Sequence, residues 1–212
     1  MRRDTILRIG LGLAVAMTLA GCRVNVDKGA NGEEKRVQVD TPFGGIHVNT
    51  DQTTAADLGL PVYPGATAFV NNDAHKSADV HLGFGEWQLR VRAVSYATPD
   101  ESDKVLAFYK KALARYGDVL TCKDKQPIGT PTVTSEGLTC QDDGGKSVHV
   151  ETSDDDDKGT KGMHHDLSEE MQLKAGSKRH QHIMGIEDKK EDGKTVFALV
   201  ALDLPAGADK GN

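Results

Sequence analysis

The sequence predicts an α+β fold: a mostly antiparallel sheet with one main amphipathic helix, about residues 98–117, packed on one face. Three observations carry this. Several segments alternate apolar and polar residues with the period of a strand. One segment repeats apolar residues at spacings of three and four, the period of a helix. Their order along the chain is strands, one helix, then strands again.

The helix is read from its start, stripe and stop. Thr98-Pro99-Asp100-Glu101 has the form of a capping box with proline at the first helical position. Val105, Phe108, Tyr109, Ala112, Leu113 and Tyr116 then form the stripe, with Lys104, Lys110, Lys111 and Arg115 off it and Gly117 as terminator. An aromatic stripe of this kind is core far more often than a ligand site, and Phe108 is expected against the sheet opposite Trp87 or Leu89.

Strands are expected on both sides. Arg36–Asp40 and Gly45–Asn49 flank Thr41-Pro42-Phe43-Gly44 as a hairpin. Gly59–Ala66, with its prolines and Pro-Gly turn, suits an ordered entry loop. Val80, Leu82 and Phe84, then Trp87, Leu89, Val91 and Ala93, read as a second hairpin with a core face and a wet face. Beyond the helix, Val119–Cys122 leads into a loop, and Leu138–Cys140 is expected to pair with Ser147–Glu151. Met171–Leu173 suits a short strand or a helical turn. His182–Glu187 and Lys194–Leu204 form a last hairpin around Asp192-Gly193.

The chain divides into a leader (1–21), a tether with the first hairpin at about 36–49 (22–57), one globular domain (58–205) and a tail (206–212). The tether reading rests on polar Arg23–Lys35, which has too little apolar content to pack. In the leader, Arg2, Arg3 and Arg8 precede an uncharged run from Ile9 to Ala20. That run is shorter than the roughly 20 residues a spanning helix needs, so it reads as a secretion signal. Leu19-Ala20-Gly21-Cys22 resembles the bacterial lipobox. The resemblance implies cleavage before Cys22, diacylglycerol on its sulfur and acylation of the new amino terminus, often as palmitate. Arg23, where Asp would signal retention, implies by the same resemblance the outer membrane, facing the periplasm.

Loss of residues 1–21 removes three arginines and one aspartate and leaves a net charge of about −8. An acidic chain without a basic face does not fit nucleic acid. Cys122 and Cys140 remain as an even pair, which an oxidising compartment would join as a disulfide. The segment Leu60–Gly117 is similar to bacterial envelope lipoproteins that carry a Tyr-Pro-Gly-Ala loop (Tyr63–Ala66), a hairpin and a Val-x-x-Phe-Tyr helix (Val105, Phe108, Tyr109). That likeness implies a location and a fold, and brings no catalytic residue with it.

Candidate chemistry is sparse. His180 and His182 would share a strand face, with His164, His165 and Asp166 upstream, which allows a Zn²⁺ or Cu²⁺ site in the His164–His182 region. Asp154–Asp157 lacks the frame of a calcium loop and reads as a solvated tip. No nucleophile elbow, phosphate loop or dinucleotide fingerprint occurs. The expectation is therefore a membrane-anchored, non-enzymatic binding module for an envelope partner, with no cofactor. Its candidate surface is the hairpin around Thr41–Gly45 with the wet face bearing Arg90 and Arg92. A periplasmic ligand- or metal-binding protein is the alternative, and an envelope hydrolase a third.

Overall fold

A computed structural model describes residues 22–28, 34–70, 75–141, 171–186 and 190–207. The leader, Ser147–Glu151, Asp154–Asp157, His164, His165, Asp166 and the end of the tail lie outside the described residues.

Among the described residues eleven strands form one sheet: β1 (Arg23–Lys28), β2 (Glu34–Thr41), β3 (Gly44–Thr50), β4 (Thr67–Ala68), β5 (Ser77–Phe84), β6 (Trp87–Thr98), β7 (Leu120–Lys123), β8 (Gln126–Pro127), β9 (Met171–Gly176), β10 (His180–Ile186) and β11 (Thr195–Asp203). Their order is β1-β2-β3-β5-β6-β11-β10-β9-β7-β8, with β4 continuing the β5 side of β6. Each pairing is antiparallel. Among the described residues one α-helix, α1 (Ser102–Leu113), continues as a 3-10 turn over Ala114–Tyr116 and packs on β9 and β10. The fold is α+β, as the periodicities predict. No helix among the described residues is long and apolar enough to cross a membrane.

The helix begins later than its capping signature implies. Thr98 remains in β6, and Glu101 takes the N-cap position without a side-chain cap. Asp100 is used elsewhere: its carboxylate accepts from Lys104 Nζ and the Tyr63 hydroxyl, and its carbonyl accepts from Thr195 Oγ1. Val105, Tyr109 and Leu113 are the fully buried residues of α1, and they meet Leu173, Ala175, Met184, Phe197 and Leu199. Phe108 is only partly buried, and it lies edge-on to Tyr63 at 5.2 Å and to Tyr109 at 5.1 Å. It does not oppose Trp87 or Leu89.

The reason lies in β6. Directly paired residues share a sheet face, so the registers assign every strand residue to one side. Trp87, Leu89, Val91 and Ala93 fall on one face; Arg90, Arg92, Val94 and Tyr96 fall on the other. The apolar phase of β6 therefore flips between Ala93 and Val94, without a break in either register. The sheet is apolar on the helix side toward the end of β6, and apolar on the opposite side toward its start. The expected core face of the second hairpin is apolar but carries no helix.

Two further expectations change. Arg23–Lys28, expected as solvated tether, is an edge strand paired with β2, and β3 pairs with β5, so the first hairpin is part of the main sheet. The alternation of Val24 and Val26 with Asn25 and Asp27 suits a strand, although all six residues of β1 are exposed. Leu138–Cys140 is not a strand; its buried side chains instead form a small cluster with Leu120 and Cys122.

Candidate functional site

The polar face of β2, β3, β5 and β6 lies in front of the segment Gln52–Asp57, and between them opens a cleft of about 560 Å³. Arg36, His47, Asn49, Asp79, Arg90 and Arg92 are among its lining residues. This is the wet face expected from the sequence, with Arg90 and Arg92 on it, and the β2–β3 hairpin forms one side.

Its charges are mostly spent on each other. Arg90 donates through Nε and Nη2 to the two oxygens of Asp79, at 2.9 and 2.6 Å. Arg36 donates to Asn49 Oδ1 at 3.0 Å and to Asp27 at 3.2 Å. Arg92 donates to the Asp57 carbonyl and, at 3.2 Å, to Asp203. Its Nε is buried without a hydrogen-bond partner. His47 Nε2 lies 3.0 Å from Asp40, and the hydrogen bonds of His47 and Gln38 hold the Asp40 carboxyl below the usual range. Ion-paired carboxylates that stay ionised make poor general acids. None of the cleft residues named here is a serine or cysteine nucleophile. The arrangement can orient a polar ligand by hydrogen-bond exchange.

His180 and His182 do share a face of β10, and each is engaged separately. His180 Nδ1 lies 2.9 Å from Asp203. His182 stacks on Tyr116; burial and the nearby Arg92 lower its pKa below the ordinary histidine value. Among the described residues, no group of three or more His, Cys, Asp or Glu side chains is placed to hold a metal ion.

Cys122 and Cys140 form a disulfide with a Cα–Cα distance of 5.7 Å. Fully buried Lys174 donates from Nζ to the Cys140 carbonyl at 3.1 Å, so the cysteine loop lies over this end of the sheet, on the side away from α1. Cys22 is an exposed free thiol immediately before β1.

The other surface is the apolar face of β1, β2, β3, β5 and the first half of β6. It carries Val24, Val26, Val37, Val39, Ile46, Val48, Val80, Leu82, Phe84, Trp87, Leu89 and Val91. Between Val24 and Val91 its paired positions hold no charged side chain. None of the described helices packs across it. Sequence reasoning missed this surface because it took the apolar set of the second hairpin as core; the phase flip in Leu89–Tyr96 was the available signal.

Comparison of the chain with protein-family models, with curated proteins and with solved structures finds no match.

Proposed function

We propose that this protein is a membrane-anchored bacterial envelope lipoprotein, held by acyl chains on Cys22 in the outer membrane and facing the periplasm. It acts as a non-enzymatic interaction module that docks an apolar surface of an envelope protein. The observation that carries the reading is the charge-free face of five strands. Five strands at about 4.8 Å spacing and about 20 Å of strand length give roughly 500 Å² of sheet. Soluble monomers seldom leave a contiguous apolar patch larger than a few hundred Å². A matching partner surface would bring the buried total to about 1,000 Å², the size of a small, transient interface. Depletion of charge is what distinguishes the centre of such interfaces. The disulfide supports export, because such bonds persist in oxidising compartments.

Site-specific photocrosslinking in intact cells tests this. Probes at Val48 and Val80 should give one discrete protein adduct that Leu82→Asp abolishes, while probes at Asn49 and His81, on the opposite face, should not. No adduct from the apolar face, or the same adduct from both faces, would reject the reading.

A second reading, favoured by the unpaired Nε of Arg92, is a periplasmic protein that holds a small polar ligand in the cleft. Ligand-dependent melting that Arg92→Ala removes would support it. A metal site in the His164–His182 region would instead give a metal-dependent melting shift.

A further inference from the structure

Cys22 stands directly before β1, and Arg23 is already paired with Asp40, so no spacer separates a lipid on Cys22 from the sheet. The registers carry this row through Gly45 and Gly83 to Gln88. One residue further out, Thr41, Gly44, Phe84 and Trp87 continue the row that Cys22 begins, and the β2–β3 turn beyond it carries Phe43. Phe43 is 85% exposed, Phe84 48% and Trp87 42%, with the Phe84 and Trp87 rings 6.0 Å apart. Single exposed aromatics are ordinary. Three at one end of a sheet, in line with the acylation site, are not accounted for by the fold.

We propose that this end of the sheet is a bilayer-docking edge. Phe43, Phe84 and Trp87 seat at the headgroup–acyl boundary of the membrane that holds Cys22. The inference rests on the lipid-anchor reading and adds an orientation to it. From β1 to β6 is four interstrand spacings, about 19 Å, so the edge is a line of contact, where a lipid on Cys22 alone is a point about which the domain would swivel. Tryptophan favours the interface because its ring is apolar and its N–H remains wet. Exposed Glu86 in the β5–β6 turn keeps its charge in water, which holds the edge at headgroup depth. The strands then stand upright, and both the apolar face and the polar cleft look sideways into the compartment.

Trp87 is the only tryptophan of the chain, so its fluorescence reports on this edge alone. The full acylated protein is reconstituted in vesicles of phosphatidylethanolamine and phosphatidylglycerol, with and without lipids brominated near the headgroup end of the acyl chain. The expected result is that bromolipid quenches Trp87 by half or more, and that Phe43→Ser with Phe84→Ser at least halves this quenching while the protein still floats with the vesicles. Flotation with no bromolipid quenching, and Trp87 open to acrylamide, would overturn the docking edge and leave the anchor standing. A chain without acyl mass on Cys22 that remains in the aqueous fraction would remove the anchor, and the proposal with it. Trp87 shielded from acrylamide but not quenched by bromolipid, in a protein that crosslinks as a dimer, would assign the edge to a second copy and overturn the proposal.

Discussion

The ring of His182 lies flat on the ring of Tyr116, with centroids 3.6 Å apart and planes 14° from parallel. The pair ties three parts of the chain together. The Tyr116 hydroxyl donates to the Gly59 carbonyl at 2.7 Å, so the helix end, stacked on β10 through His182, holds the close of the short 3-10 turn Ala55–Leu58. That turn separates the core under α1 from the polar cleft. Burial comes first among the causes that lower the His182 pKa, followed by the positive charge of Arg92, and its Nδ1 has no hydrogen-bond partner.

A pH dependence follows. With the folded pKa of His182 below its unfolded value of about 6.5, the unfolded chain binds more protons between the two. Stability should therefore be full above about pH 7.5 and fall as the pH drops through 6.5 toward the folded value. Urea midpoints measured from pH 8 to 5.5 should show this slope, and His182→Gln should flatten it. An unchanged slope in the variant would assign the effect to other groups.

Tyr109 should outweigh Phe108 in α1. Tyr109 is fully buried and its hydroxyl donates to the Pro61 carbonyl at 3.1 Å, tying the helix to the proline loop. Truncation of a buried aromatic to alanine costs about 3–5 kcal/mol, so Tyr109→Ala should unfold the domain or nearly so. Tyr109→Phe should cost about 1 kcal/mol for the lost hydrogen bond. Phe108→Ala should fall well below Tyr109→Ala, and Lys111→Ala within about 0.5 kcal/mol of the parent. Thermal melts of the four variants decide the order.

The disulfide should contribute about 3 kcal/mol, the chain-entropy value for closing a loop of this size. Leu120 and Leu138, both fully buried, pack beside it and should keep the region folded when it is reduced. Urea titration with and without a phosphine reductant should show a lower midpoint in the reduced protein, and no such shift for the Cys122→Ser, Cys140→Ser double variant.

Gly176 and Gly83 should respond oppositely to alanine. Gly176 has φ +104°, and a Cβ there would lie 2.2 Å from the His180 carbonyl oxygen. Gly176→Ala should destabilise by more than about 2 kcal/mol, from backbone strain together with the clash. At Gly83 a Cβ meets nothing within 4 Å, so Gly83→Ala should stay within about 1 kcal/mol of the parent. Denaturant midpoints provide the comparison.

Lipidation has the simplest test. Cys22→Ser should leave the protein uncleaved or release it from membranes, read by detergent partitioning and intact mass. Equal partitioning of variant and parent would remove the anchor.

Several elements were legible because their signals are local. The stripe from Val105 to Leu113 follows a spacing that a helix alone produces, and the Asp192-Gly193 turn connects two strands whatever surrounds it. The helix start was not legible, because Asp100 is recruited by Tyr63 and Thr195, residues far from it in sequence. For the candidate site, alternation correctly placed Arg90 and Arg92 on a wet face. That Arg36, Asn49 and Asp79 would meet them in one cleft depended on β3 pairing with β5.

The sequence by itself determined the α+β class, the existence of one amphipathic helix and the two-faced character of the strands, because each follows from repeats within a few residues. Only the tertiary structure decided which face the helix covers. Alternation is symmetric: it says that Leu89 and Arg90 point to opposite sides, not which side is buried. That choice was made where β11 and β10 align Leu199 and Met184 with Val94. There the apolar phase of β6 has already reversed, which leaves Leu89 and Val91 on a face that α1 does not reach.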